Sequence, residues 1–190
     1  MTRSISRQEA RTWVARGMVA RLPPDERASL LAEWWSLDSE DEGWDELPDD
    51  IKEEIGSREE APLDATDAKY DPLLWLAAMQ KTVGVRNSWL QAKLSEMGVD
   101  PVKIVGEPEQ MLECRCCGYL TLRGRRGYEI CPVCFWEDDG SEELDRPSAP
   151  NHMTLREGKA NFDRIGACSA DALRHVVTEG QAMYRFGDSD

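Results

Sequence analysis

Two C-x-x-C pairs constrain this chain more than any other feature. Cys114 and Cys117 form the first, Cys131 and Cys134 the second, and thirteen residues lie between them. Four thiolates at this spacing read as one tetrahedral Zn²⁺ site, because zinc favours sulfur ligands and a closed four-coordinate shell when its role is structural. A closed shell offers no open position for a catalytic water. The motif therefore points to a folded module, not to a reaction. Cys131-Pro132-Val133-Cys134 taken alone also fits a redox dithiol, but the second pair at ribbon distance favours metal.

The surroundings of the cysteines read as a zinc ribbon. Each C-x-x-C turn is expected to form a knuckle whose backbone N–H groups point at sulfur. Gly118 suits the tight turn after the first pair, where positive φ is cheap. Phe135 holds the matching place in the second, which is expected to be less regular. Tyr119–Leu122 and Gly127–Ile130 read as two strands of a hairpin, with Arg123-Gly124-Arg125-Arg126 at its tip. Cys116 is expected to be an unligated thiol beside the site, and Cys168 a small buried hydrophobe.

Upstream, the sequence is helical. Ser6 to Glu9 is a capping box opening a helix to about Ala20. Pro23-Pro24-Asp25-Glu26 opens a second, with Leu30, Leu31, Trp34 and Trp35 as its stripe. Asp71-Pro72 starts a third, apolar nearly all round from Leu73 to Met79, and Asn87 or Ser88 caps a fourth ending before Gly98. Residues 57–69 and 99–110 read as a loop and a connector. Beyond the cysteines, Thr154 to Glu157 is another capping box for a helix to about Ile165, and Ser169 or Asp171 opens a short last helix. Met183 to Phe186 reads as an extended tail. The fold class is α+β, mainly α: an acidic helical domain, 1–105, and a zinc-ribbon domain with C-terminal helices, 106–190.

Charge is the second constraint. The formal net charge is −14 over 190 residues. Twelve acids lie between Asp38 and Glu60 against Lys52 and Arg58, so this segment carries −10. Trp44, Leu47, Ile51 and Ile55 interrupt it at near-helical spacing, which predicts a short amphipathic helix over 48–55. Such charge opposes binding to nucleic acid or anionic membrane and favours a basic partner. Arg123, Arg125 and Arg126 form the one basic cluster, read as a solvated tip. No run of eighteen apolar residues occurs, and the start lacks an apolar core for secretion, so a cytoplasmic location is expected. Six cysteines fit that reducing setting. No enzyme is expected: His152 and His175 are the only histidines, too few for a His-Asn-His nuclease around Asn151-His152.

The segments Cys114 to Tyr119, Tyr128 to Gly140 and Pro150 to Glu157 together resemble the bacterial cysteine-rich CPCC family, over roughly residues 112 to 167. Arg115 stands where the family name implies proline; it is not a ligand. The resemblance implies a small protein of polymorphic-toxin systems that neutralises a cognate toxin. Toxins of this kind are often basic and act on nucleic acids or nucleotides, so a strongly acidic inhibitor would be steered onto their substrate surface. Partner contacts are accordingly expected at Glu40, Asp41, Glu42, Trp44, Asp45 and Glu46. A zinc-ribbon adaptor or regulator of another protein or of nucleic acid is the other reading.

Overall fold

The computed structural model describes residues 3–187. The chain divides into two compact units, Met1–Val83 with Leu90–Glu107, and Gly84–Trp89 with Pro108–Asp190.

The first unit is built on helices. α1 (Arg7–Val19) opens with the expected capping box: the Ser6 hydroxyl accepts from the Glu9 N–H, and the Glu9 carboxylate accepts from the Ser6 N–H. α2 (Pro24–Trp34) has proline in its first turn. α4 (Asp71–Gln80) buries Leu73, Leu74, Leu76, Ala77 and Ala78 and is the central helix, as its all-round apolar sequence requires. Its N-cap is Tyr70 rather than Asp71, one residue earlier than the Asp-Pro signal places it. Arg11 is buried and donates to Met79 O and to Thr82 Oγ1, serving the carbonyl-rich end of α4. Arg27 of α2 pairs with Asp71 at the opposite end.

The acidic segment docks through its apolar residues. α3 (Asp49–Ser57) buries Ile51 and Ile55. Leu47 is buried beside them, and Trp44 packs half-buried against the same core. The acids of the segment other than Glu54 are exposed, because helical spacing allows only one face to meet the core. Glu54 is half-buried and accepts from the Tyr70 hydroxyl and from Lys69.

Residues 99–110 are not a plain connector. Val102–Val105 forms β2, which pairs in parallel with β1 (Arg3–Ser6), Ile5 beside Ile104. Strands of four residues with one or two buried side chains leave little periodicity to read. α5 (Asn87–Glu96) spans the division between the units, and Gly98 follows it at φ 77°.

The second unit contains short ladders and short helices. β3 (Leu112–Glu113) pairs antiparallel with β4 (Leu120–Leu122), and Ile130 bridges Glu137. The expected hairpin between Tyr119–Leu122 and Gly127–Ile130 is therefore replaced by two hairpins, each closing on its own knuckle. The physical reason is local: a C-x-x-C turn returns the chain on itself, so the nearest pairing partner lies across the turn. Arg123 to Gly127 remains an exposed loop. β5 (Pro147–Ser148) pairs with β6 (Met153–Thr154), which leads into α6 (Leu155–Ile165) through the expected capping box. A 3₁₀ turn, Asp171–Arg174, and α7 (Gly180–Met183) replace the single last helix. The tail is extended and adds to the first hairpin: Leu120 N donates to Arg185 O, and Gly187 N to Gly118 O. No helix of the described residues is long and apolar enough to cross a membrane.

Candidate metal centre

The four cysteines of the two pairs converge. Their sulfurs all lie within 4.8 Å of one another. Cys114 Sγ is 3.6 Å from Cys134 Sγ, and Cys117 Sγ is 3.6 Å from Cys131 Sγ. Four sulfurs bound to one Zn²⁺ at about 2.3 Å would stand about 3.8 Å apart in a tetrahedron. A disulfide needs about 2.05 Å, so these are thiols placed for a metal. The donor set, all sulfur and all buried, suits zinc.

The two knuckles share one backbone. Gly118 N donates to Cys114 O at 2.8 Å, and Phe135 N donates to Cys131 O at 2.8 Å. Cys114 N donates to Tyr119 O, and Cys131 N to Trp136 O, closing each turn. Gly118 has φ 79° and Phe135 has φ 66°. The second knuckle is thus as regular as the first, contrary to expectation, with phenylalanine holding a left-handed conformation that glycine takes more readily. Its ring stacks on His175 at 4.8 Å, which helps offset that strain.

Electrostatics fit a cation at this point. Burial opposes charge on Cys131, but hydrogen bonds from Cys114, Cys117, Cys134 and Thr121 outweigh it and hold that thiol well below its ordinary range. Hydrogen bonding to Cys114 and then to Cys131 pushes Cys117 up, and hydrogen bonding to Cys114 first, then to Cys116, Cys117 and Cys131, pushes Cys134 up. Four adjacent sulfurs cannot all ionise without a cation to compensate them. Thr121, whose hydroxyl is 3.2 Å from Cys131 Sγ, was not singled out by the sequence; its alternation with Leu120 and Leu122 in a strand was the available signal.

Cys116 is buried beside the cluster but is not one of the four converging sulfurs. It lies with Trp136 under Gly158 of α6, where a Cβ would stand 2.7 Å from the indole. Cys168 is also buried, and burial is the main cause that pushes its thiol up to about 11. Its N–H donates to Cys134 O, tying the segment after α6 to the second knuckle. Asn151 is a brace. Its amide donates to Glu137 O and Ser148 Oγ and accepts from Glu137 N.

The residues expected to meet a partner sit in the first unit. Glu40, Asp41, Glu42, Asp45 and Glu46 are exposed, whereas Trp44 is half-buried against the core. Asp41 and Asp38 also hold their own turn: Asp38 N donates to Asp41 and Glu40 N to Asp38. Glu42 and Glu46 rim a cleft of about 440 Å³ on the side of α1, where Arg16 lies over the Trp75 ring.

The site and its frame define a four-cysteine metal-binding module of zinc-ribbon type. Residues 112–182 match the family described as Cysteine-rich CPCC, so the likeness carried by the knuckle residues holds over most of the second unit. No curated protein and no solved structure matches the chain significantly.

Proposed function

We propose that this chain is a toxin-neutralising immunity protein of the cytoplasm, with Zn²⁺ in a structural role and no catalysis of its own. The partner is a basic toxin acting on nucleic acid or nucleotides, and inhibition is steric occlusion of its substrate surface. One observation carries the reading: the acidic segment is anchored by Leu47, Ile51 and Ile55, so its exposed carboxylates are presented from a packed base rather than from a loose tail. Fixed like charges focus a field and raise the association rate with an oppositely charged surface. The CPCC resemblance supplies the toxin context.

The test is co-expression with the protein encoded next to this chain in its native genome. The reading expects that protein to arrest growth alone, and this chain to restore growth and co-purify with it. Replacing Glu40, Glu42, Asp45 and Glu46 by Gln or Asn should slow association and flatten its salt dependence. A non-toxic neighbour, or protection and salt dependence unchanged by those four substitutions, counts against it.

The adaptor reading draws on a different observation. Among the described residues, seven of the nine exposed large hydrophobic side chains belong to the second unit. A module that exposes apolar side chains around a metal-fixed frame suits protein contact.

A further inference from the structure

A cleft of about 350 Å³ opens beside the second knuckle. Its lining includes Ile130, Phe135, Glu137, Asp171, Arg174 and His175. Ile130 is 46% exposed at its edge, although it is a large aliphatic residue. The Phe135 and His175 rings stack within it at an interplanar angle of 20°. Two of the lining residues, Phe135 and His152, hold left-handed backbone at φ 66° and φ 53°. Such conformations persist only where the surroundings impose them.

The charge in this cleft is unevenly committed. The Arg174 guanidinium Nε donates to His175 Nε2 at 3.0 Å, which orients this lining arginine against the His175 ring and leaves its charge opposed by two carboxylates. Among the described residues, no hydrogen bond or ion pair is made by the carboxylates of Glu137 or Asp171; the hydrogen bonds of Glu137 to Asn151 use only its backbone. A concave site with aromatic faces, an aliphatic edge and two uncommitted carboxylates is complementary to one side chain above others. Arginine lays a planar guanidinium on aromatic faces, pairs with carboxylates, and buries an apolar stem.

We infer that this cleft receives an arginine side chain from a protein partner. The guanidinium pairs with Glu137 and Asp171, and its stem lies along Ile130 and the Phe135–His175 stack. Anchor residues filling a pocket dominate protein interfaces, and arginine is among the commonest. The basic character of the partner rests on the proposed function, but the pocket and its chemistry do not. If both hold, the partner is gripped at this pocket in addition to being attracted by the acidic segment.

The test uses the zinc-loaded, full-length, ¹⁵N-labelled chain titrated with acetyl-Gly-Arg-Gly-amide. Acetyl-Gly-Leu-Gly-amide and acetyl-Gly-Glu-Gly-amide serve as controls. The expected result is saturable shifts at the amides of Phe135, Glu137 and His152 and at the His175 ring with the arginine peptide alone. The double variant Glu137→Gln, Asp171→Asn should weaken that binding about fivefold or more, as loss of two partly exposed charge pairs implies. Ile130→Ser should weaken it without altering the peptide preference. Equal shifts with the leucine or glutamate peptide, shifts confined to residues 38–60, or indifference to the double variant would each overturn the assignment. These outcomes do not depend on any toxin: the arginine titration can fail while growth protection persists, and the reverse.

Discussion

The two units solve the same problem by different means. The first buries twenty-three hydrophobic side chains among the described residues, none of them cysteine. The second buries sixteen, and six of these are cysteines. An apolar core gains stability from area removed from water and needs no cofactor. A core whose centre is four thiols cannot gain much that way, and its close-set sulfurs repel when they ionise. The difference teaches that metal should govern one unit and packing the other. Charge divides along the same line: the first unit has 22 acids against 12 bases, the second 15 against 11. The unit that folds by packing is therefore also the one that carries most of the field.

Metal removal should break the comparison most visibly. Structural zinc contributes on the order of 10 kcal/mol to small sites of this type. A strong chelator, or Cys131→Ser, is expected to open amides across residues 112–187 to hydrogen exchange while α1 and α4 stay protected. Acid should do the same, because the ligands must be thiolates and protonation competes with the metal as pH falls. Exchange that rises equally in both units would show that the first unit depends on the second.

Next in size is a cavity in the first unit. Leu74 of α4 is fully buried. Leu74→Ala should cost about 2–5 kcal/mol, read as a lower denaturant midpoint for helical circular dichroism. Zinc content should remain one per chain, since no sulfur ligand lies in that unit. A matching loss of zinc would erase the division of labour argued above.

A smaller effect of the opposite kind is expected at Gly158, where the second unit tolerates no added bulk. A Cβ there meets the Trp136 ring at 2.7 Å, with Cys116 Sγ at 3.4 Å. Gly158→Val should cost about 1–3 kcal/mol through overpacking. Amides of α6 and of the second knuckle should lose protection, and α4 should not. Unchanged zinc affinity and exchange would mean that α6 does not brace the centre.

How much of this was legible in sequence follows from where the determinants lie along the chain. The metal ligands were legible because a C-x-x-C turn is a local structure whose ligands declare themselves by residue type. Helices α1, α2, α3 and α6 were legible through caps, prolines and apolar stripes, all within one or two turns. The pairing of strands was not. Whether Leu120–Leu122 pairs with Leu112–Glu113 or with residues 127–130 depends on which chain segment the knuckle folds back, and the sequence carries apolar residues on both sides. β1 and β2 lie nearly a hundred residues apart and expose five of their eight residues, so four-residue periods and sequence proximity do not mark them. The regular second knuckle was hidden because Phe135 breaks the glycine rule, and its compensation by His175 lies forty residues on. The half-buried place of Trp44 was similarly set by α3 docking, not by its acidic neighbours.

The finest distinction uses one motif present in both units. Ser6 and Thr154 each cap a helix, and Glu9 and Glu157 each close the box. Hydrogen bonds from the backbone and then the side chain of the capping residue hold both carboxyls below their usual range. A carboxyl depressed in the folded state stabilises it above the unfolded pKa of about 4.3, and that contribution is lost as pH falls through the folded value. Ser6→Ala and Thr154→Ala should each cost about 1 kcal/mol at neutral pH. Each loss should shrink below pH 4, because the glutamate half of the box is then protonated in wild type as well. The readouts should separate: Ser6→Ala lowers the helical melting midpoint of the first unit, and Thr154→Ala raises exchange in α6. If Thr154→Ala cost nothing with zinc bound but its full amount after chelation, the metal centre alone would be holding α6 in place. The second unit would then owe even its helices to the four cysteines.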